Sequence, residues 1–283
     1  SGLYNSKSNF NALNQFIAAE KITKDINPIY GSIQKLYSRS TADGDLITLC
    51  EDRILKILAN KDALFNADGN PQVVATNKVL GQAQPYSGKF GISKDPSSFA
   101  AYSYRIYFTD KVRGAVLRLS KDGLTAISDF GMKDWFKDKM KLSLDFIIGS
   151  YDDKKGEYNV TFSNNASQSI NSTVHNSTVS FKEDTKGWVS FKSFVPENGI
   201  SCANDYYTFD KGKLYLHHDE SVNRNTFYND HVFTSLTLLL NDMPSSIKSY
   251  TTINYEGTDS KVTVNHADDQ YYNLLPNPGW YVE

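Results

Sequence analysis

The chain has 283 residues, enough for one large all-β domain or two small ones. Its 40% apolar content can supply a core and excludes global disorder. Thirty basic residues nearly cancel 32 acidic ones, which excludes a bulk basic surface for gripping a nucleic-acid backbone.

Residues 1–30 read as a helical or extended lead-in. The start, SGLYNSKSNF, lacks both an initiator methionine and the charged-then-apolar pattern of a secretory signal. Ser1 and Gly2 read either as a cleavage scar or as the start of a piece cut from a longer chain. Phe10, Leu13, Phe16 and Ile17 share one helical face, so a short helix is expected over 9–20. Asn27-Pro28 breaks it. Residues 31–283 read as one β domain, since no linker divides them. First strands are expected over 32–37 and 46–58, joined by ADGD, with the acidic turn EDR inside the second run. Residues 61–69 read as a loop or one helical turn, and 73–75 and 79–83 as short outer strands. The Gly-, Pro- and Ser-rich run 85–98 reads as a long surface loop.

The most informative stretch is 99–136, FAAYSYRIYFTDKVRGAVLRLSKDGLTAISDFGMKDWF. Aromatic and β-branched runs at 104–109, 115–120 and 124–128 are separated by DKVRG and KDG. This is an up-down-up meander with no room for a crossover helix. Residues 132–136 open a short amphipathic helix carrying Trp135, Phe136 and Met140, with a charged end at 137–141.

The same grammar recurs. Strands at 147–151 and 158–162 flank DDKKG, those at 179–181 and 188–191 flank KEDTKG, and those at 206–209 and 213–217 flank DKG. The polar insert SNNASQSINSTVHNST reads as an exposed hairpin tip. Two further strands are expected at 232–240 and 247–255, joined by NDMPSS, and a last one at 261–265. The aromatic tail YYNLLPNPGWYVE is expected to pack back on the body or pair with a strand. No single hairpin buries its apolar face alone. The fold expected is therefore mainly β: a β-propeller or a propeller-like stack of antiparallel meanders, with a few short helices.

The turn aspartates Asp52, Asp110, Asp153, Asp184 and Asp210 could be calcium ligands or the aspartate boxes of sialidase-type propellers. Neither SYDDKKGEY nor FKEDTKGW keeps the spacing Ser-x-Asp-x-Gly-x-Thr-Trp. The favoured reading is hairpin turns in which Asp accepts backbone hydrogen bonds and Gly takes positive φ. Asn66, Asp68 and Asn70 resemble a calcium loop but lack its closing glutamate. His217 and His218, beside Asp219, Glu220 and His231, suggest a metal cluster. Adjacent strand residues point to opposite faces, so solvated histidines at a strand end are expected instead. Cys50 and Cys202 are expected to be reduced, buried thiols. There is no Gly-x-Ser-x-Gly, phosphate loop or dinucleotide fingerprint. No catalytic, cofactor-binding or metal residue is assigned. Asn159, Asn165, Asn171 and Asn176 each open an Asn-x-Ser/Thr site, read here as a by-product of a Ser/Asn-rich insert.

The blocks GISKDPSSFAAYSYRIYFTDKVRGAVLRLSKDGLTAISDFGMKDWF, IIGSYDDKKGEYNVTF, VSFKEDTKGWVSFKSFVPENGIS, DKGKLYLHH, RNTFYND, INYEGTDSKV and NPGWYVE carry a resemblance. In this order they resemble the large virion structural proteins of tailed bacteriophages, in particular tail nozzle, muzzle or hub proteins built on a β-propeller. The resemblance runs from about residue 31 to the end. It implies a non-enzymatic wall component without cofactors, located in the virion tail and made in the host bacterial cytoplasm. Such proteins are usually much longer, so these residues would be one domain or a fragment. It implies other tail proteins as partners, a homo-oligomeric ring about the tail axis, passing contact with DNA in the channel, and no membrane. The loops 85–98 and 164–178 would carry subunit contacts. Two alternatives stand beside it: a glycan-binding or sialidase-like β-propeller acting on cell-surface carbohydrate, and a secreted, glycosylated eukaryotic β-protein.

Overall fold

A computed structural model of the chain describes residues 24–39, 45–65, 71–142, 146–164, 176–237, 241, 243–249 and 251–252. It is mainly β, with one α-helix among the described residues. The first sheet comprises β1 (Ile33–Ser38), β2 (Leu46–Cys50), β3 (Ile54–Phe65) and β4 (Pro71–Pro85). The second comprises β5 (Ala100–Tyr102), β6 (Arg105–Asp110), β7 (Ala115–Ser120) and β8 (Gly123–Ala126). The third comprises β9 (Phe146–Asp152), β10 (Glu157–Ser163), β11 (Ser177–Lys182) and β12 (Gly187–Lys192). The fourth comprises β13 (Asn198–Cys202), β14 (Asp205–Asp210) and β15 (Lys213–Leu216). Each sheet is a meander: strands pair antiparallel in chain order, without a crossover.

The chain divides into two compact units, Ser1–Asp219 and Glu220–Glu283. In the second unit, β16 (Thr226–Phe227) and β17 (Asp230–His231) form a two-stranded hairpin.

Turn chemistry sets the hairpins. Asp110 and Asp152 each end a strand, and each Oδ1 accepts the N–H three residues on, from Arg113 and Lys155. Gly114 and Gly156 follow at φ +65° and +66°, the left-handed region that glycine enters without strain. The tighter turn between β14 and β15 puts Lys211 and Gly212 both at positive φ, as a two-residue hairpin requires.

Strand alternation then builds the core in the first unit. Ile106, Phe108, Leu117 and Leu119 leave one face of the second sheet and pack with Ile47, Leu49 and Ile54 of the first. Tyr107 and Val116 leave the opposite face and pack with Tyr158, Val160, Phe162 and Phe181 of the third. The helix α1 (Lys133–Lys141) covers this second cluster by inserting Phe136 and Met140. A β-carbon at Gly114 would lie 2.8 Å from the Lys137 Cα, so the turn and helix approach too closely for any other residue there.

Several expectations are corrected. Residues 61–65 continue β3, which pairs with β4 as far as Phe65↔Pro71, so they are neither loop nor helical turn. Strands expected at 73–75 and 79–83 belong to the single strand β4. The run 85–98 is not wholly a surface loop, because Gly91, Ile92, Ser93 and Ser98 are buried. Gly91 lies so close against the Glu51 backbone that a side chain there would overlap it. Residues 127–129 form a 3-10 turn, ending β8 before Ser128. No strand forms over 232–237, where Phe233 and Leu236 are exposed without a pairing partner, nor over 247–249 and 251–252. The helix expected at 9–20, the calcium-like loop at 66–70, the strand at 261–265 and the tail lie outside the described residues, as do Asn165 and Asn171.

Candidate functional site

The first strands of the first four sheets contribute to one groove of about 650 Å³. It is lined by Lys35 of β1, by residues 99–103 at β5, by residues 148–151 of β9 and by residues 197–201 at β13. β9 lies centrally, in contact with both β5 and β13.

As the edge of its sheet, β9 would carry unpaired backbone groups, which invite unwanted strand pairing. Serines from its neighbours take them. Ser97 Oγ donates to the Ile147 carbonyl at 2.7 Å. Ser201 Oγ donates to the Tyr151 carbonyl at 2.8 Å and accepts the Asp153 N–H at 3.0 Å. Between these points Gly149 meets the Ser98 carbonyl so closely that a side chain would overlap it. Gly199 sits against Ser150 and Tyr206, where a β-carbon would fall 2.9 Å from both hydroxyls. Glycine and serine thus let three edge strands converge while satisfying their backbones.

Polar side chains make up much of the groove, among them Lys35, Ser103, Asp153, Glu197 and Asn198. Lys35 Nζ lies over the Phe99 ring, 4.8 Å from its centre, and the carboxylates Asp153 and Glu197 belong to the same lining. Burial, then the neighbouring Asp152, push the Asp153 carboxyl above its ordinary range. Tyr102 stacks on Tyr151 with ring centroids 4.2 Å apart.

Behind the groove, the third and fourth sheets meet through hydrogen bonds. Ser150, Asn159 and Ser180 stand opposite one another on β9, β10 and β11. Ser180 Oγ donates to Asn159 Oδ1 at 2.5 Å, and Ser150 Oγ meets the Tyr206 hydroxyl at 2.7 Å. Thr161 and Thr178 pair at 2.8 Å, and Thr178 donates to the Phe194 carbonyl at 2.6 Å. Burial pushes the Tyr206 phenol up to about 12.

The histidines are placed by this interface. His217 is buried against Phe194 and Tyr206, and its Nε2 is 2.6 Å from Thr208 Oγ1. Burial, aided by His218, lowers its pKa to about 4, so the ring is neutral at pH 7. His218 Nε2 pairs with Asp152 Oδ2 at 2.6 Å. Both histidines follow the end of β15, outside the strand, with ring centroids 6.1 Å apart, and the expectation that both are solvated is corrected for His217. Among the described residues no group of three His, Cys, Asp or Glu side chains could hold a metal ion.

The acidic turns prove to be structural ties. Asp110 is buried and also accepts from Gly91 N, Ser93 Oγ and Arg113 Nη1. Arg113 reaches on to Asp52 at 3.2 Å, linking the turns of the first and second sheets. In the next turn Asp152, not Asp153, holds the equivalent position. In the turn after β11 it is Glu183, not the exposed Asp184, that matters: it accepts from Tyr107 and Arg118, each at 2.8 Å. The spacing Asp-x-x-Lys/Arg-Gly, shared by 110–114 and 152–156, is the sequence signal that singles out Asp152.

Cys50 and Cys202 are both free thiols. Cys50 is buried, but Cys202 is exposed, contrary to expectation. Asn159 is buried within β10 and hydrogen-bonded, so its Asn-x-Thr match is not an accessible glycosylation site. No helix among the described residues is long and apolar enough to cross a membrane, which says nothing of a β-barrel. The chain matches no protein-family model and no curated protein.

Proposed function

We propose that the chain is a non-enzymatic wall component of a bacteriophage tail, of the nozzle, muzzle or hub type, assembling with other virion proteins. In this reading the meanders are blades of a β-propeller-like body. The observation that carries it is the seam at β9. First strands from successive sheets meet along one groove, and serines close the backbone of the central one. Such a seam favours a stiff stack over a reactive cleft. The sequence resemblance supports the tail setting, and the near-neutral charge suits a conduit that DNA must pass without being held. The chain would be made in the host cytoplasm and reside in the virion. Antibody against this chain should decorate the tail of the parent particle in electron micrographs. Turnover of cell-surface glycans by the purified protein, lost in Asp153→Asn with Glu197→Gln, would overturn the reading.

A second reading has one observation in its favour. The stacked Tyr102–Tyr151 pair beside Asp153 and Glu197 offers a sugar an aromatic surface and hydrogen-bond acceptors. A glycan array and a fluorogenic glycoside panel test it, and silence on both removes a glycan-binding or sialidase-like role.

A further inference from the structure

The sequence holds one Asn-Gly pair, Asn198-Gly199. It opens β13, the strand that brings the fourth sheet to the groove, and both residues line that groove. Asn198 is exposed and Gly199 is half-buried.

The register frees the Gly199 amide from the ladder. Cys202 pairs with Asp205 across the two-residue turn Ala203-Asn204, both at positive φ. The pair that closes such a turn exchanges backbone hydrogen bonds, and bonded pairs alternate with non-bonded ones along an antiparallel ladder. Cys202 and Ile200 therefore bond to β14, whereas Gly199 and Ser201 turn their backbone groups away from it. Gly199 N donates instead to Asn198 Oδ1 at 2.8 Å. The nitrogen thus lies against the side-chain carboxamide, whose carbon it would attack to close a five-membered imide. No side chain at position 199 hinders the approach, and packing keeps it so. A β-carbon there would fall 2.9 Å from the Ser150 and Tyr206 hydroxyls. The seam therefore fixes, next to Asn198, the residue that leaves an asparagine most reactive.

We propose that Asn198 is a self-modifying site, converted by intramolecular deamidation to aspartate and isoaspartate, and that the isoaspartate form loosens the seam between β13 and β9. The Gly199 amide gives its proton to hydroxide or a buffer base, and its nitrogen bonds to the Asn198 Cγ. The Cγ–Nδ2 bond breaks, and ammonia leaves with a proton taken from solvent. Water then opens the imide at either carbonyl. One opening leaves aspartate, which joins Asp153 and Glu197 among the carboxylates of the lining. The other leaves isoaspartate, whose main chain is one carbon longer just before Gly199. Gly199 has no room to shift against Ser150 and Tyr206. Ser201, two residues on, holds the Tyr151 carbonyl and the Asp153 N–H. This chemistry does not depend on the wall reading.

The test follows the full chain over time, folded and in concentrated urea, at mildly acidic and mildly alkaline pH. Tandem mass spectrometry of the tryptic peptide 193–211 reads Asn198, with Asn204 in the same peptide as an internal control. The folded chain should convert Asn198 from amide to acid, faster at alkaline pH, while Asn204 stays intact. Its rate should lie within about tenfold of that in urea. Hydroxylamine, which captures the imide, should cut the chain between residues 198 and 199. Hydrogen exchange at Asp153 should rise in step with the isoaspartate fraction. Asn198→Gln, which would have to close a slower six-membered ring, should keep both its mass and its exchange. The proposal fails if the folded chain keeps Asn198 while the chain in urea converts it, because the strand then holds the reacting atoms apart. It fails if Asn204 converts first. It fails also if isoaspartate accumulates at 198 while exchange at Asp153 stays that of fresh protein. None of these outcomes touches antibody decoration or glycan turnover, so the wall reading stands or falls separately.

Discussion

The third sheet is packed on both sides, by opposite chemistry. Toward the second sheet it presents Tyr158, Val160, Phe162, Val179 and Phe181, joined by Phe136 of α1. The rings are in contact throughout: Tyr107 stacks on Tyr158 at 4.9 Å, and Phe136 lies 4.4 Å from Trp188. Toward the fourth sheet the same strands present Ser150, Asp152, Asn159, Thr161, Thr178 and Ser180. One side is held by the removal of apolar surface from water, which is non-directional. The other is held by hydrogen bonds, which fix register and penalise any group left unpaired. A tolerant contact and an exacting one are thus set back to back across four strands.

The contrast can be broken from either side. The largest effect is expected on the apolar face, where Phe162→Ala should destabilise by about 3 to 5 kcal/mol, as should Phe108→Ala in the neighbouring cluster. Urea melts should show a lower midpoint at unchanged slope, and unchanged melts for both would contradict the burial of these rings. This loss should not vary between pH 5 and 8, because no titrating group takes part.

The polar face should respond to pH. The folded pKa of His217 is about 4, depressed from an ordinary value of 6.5. Its neutral form is the one that fits, beside Thr208, His218, Asp152 and Lys192. The stability it contributes is therefore complete above pH 6.5 and is lost as pH falls towards about 4. The full loss is about 3 kcal/mol. Melts across this window should show a slope that His217→Gln flattens, whereas Phe162→Ala keeps it.

Smaller effects sharpen the comparison. Ser150→Ala removes one partner of the buried Tyr206 hydroxyl and should cost about 1 to 3 kcal/mol. Because Asn159 also bonds the Tyr206 hydroxyl, the double variant with Tyr206→Phe should lose less than the two single losses summed. A double-mutant cycle with no coupling would refute the contact. At the seam, Ser201→Ala leaves the Tyr151 carbonyl and Asp153 N–H to water at the groove. It should cost about 0.5 to 1.5 kcal/mol. Hydrogen exchange at Asp153 should then rise, while amides of β10, in the sheet interior, should stay protected.

Much of the strand plan was legible along the chain, because period-two alternation and turn residues act within a few positions. The runs at 115–120 and 46–50 coincide with β7 and β2. Gly114 was legible as a left-handed turn residue from DKVRG alone. β5 was not, since three residues cannot display an alternation. The apolar run at 232–237 misled, because hydrophobicity makes a strand only where another strand pairs with it. In the candidate groove almost nothing was legible. Ser97 reads as a loop serine and Ser201 belongs to no motif, and the groups they close lie about 50 residues away.

The amino-acid sequence by itself determined that this protein would be a succession of antiparallel meanders with Asp- and Gly-bearing turns. Those features depend on local sterics and on which faces are apolar. Only the tertiary structure decided that Glu183, rather than the adjacent Asp184, turns inward to Tyr107 and Arg118. It also decided that His217 would be buried and neutral and that Cys202 would be exposed. The physical reason is one of range. A strand is specified by its neighbours in the chain, whereas burial and partnership are specified by whatever sheet arrives against it.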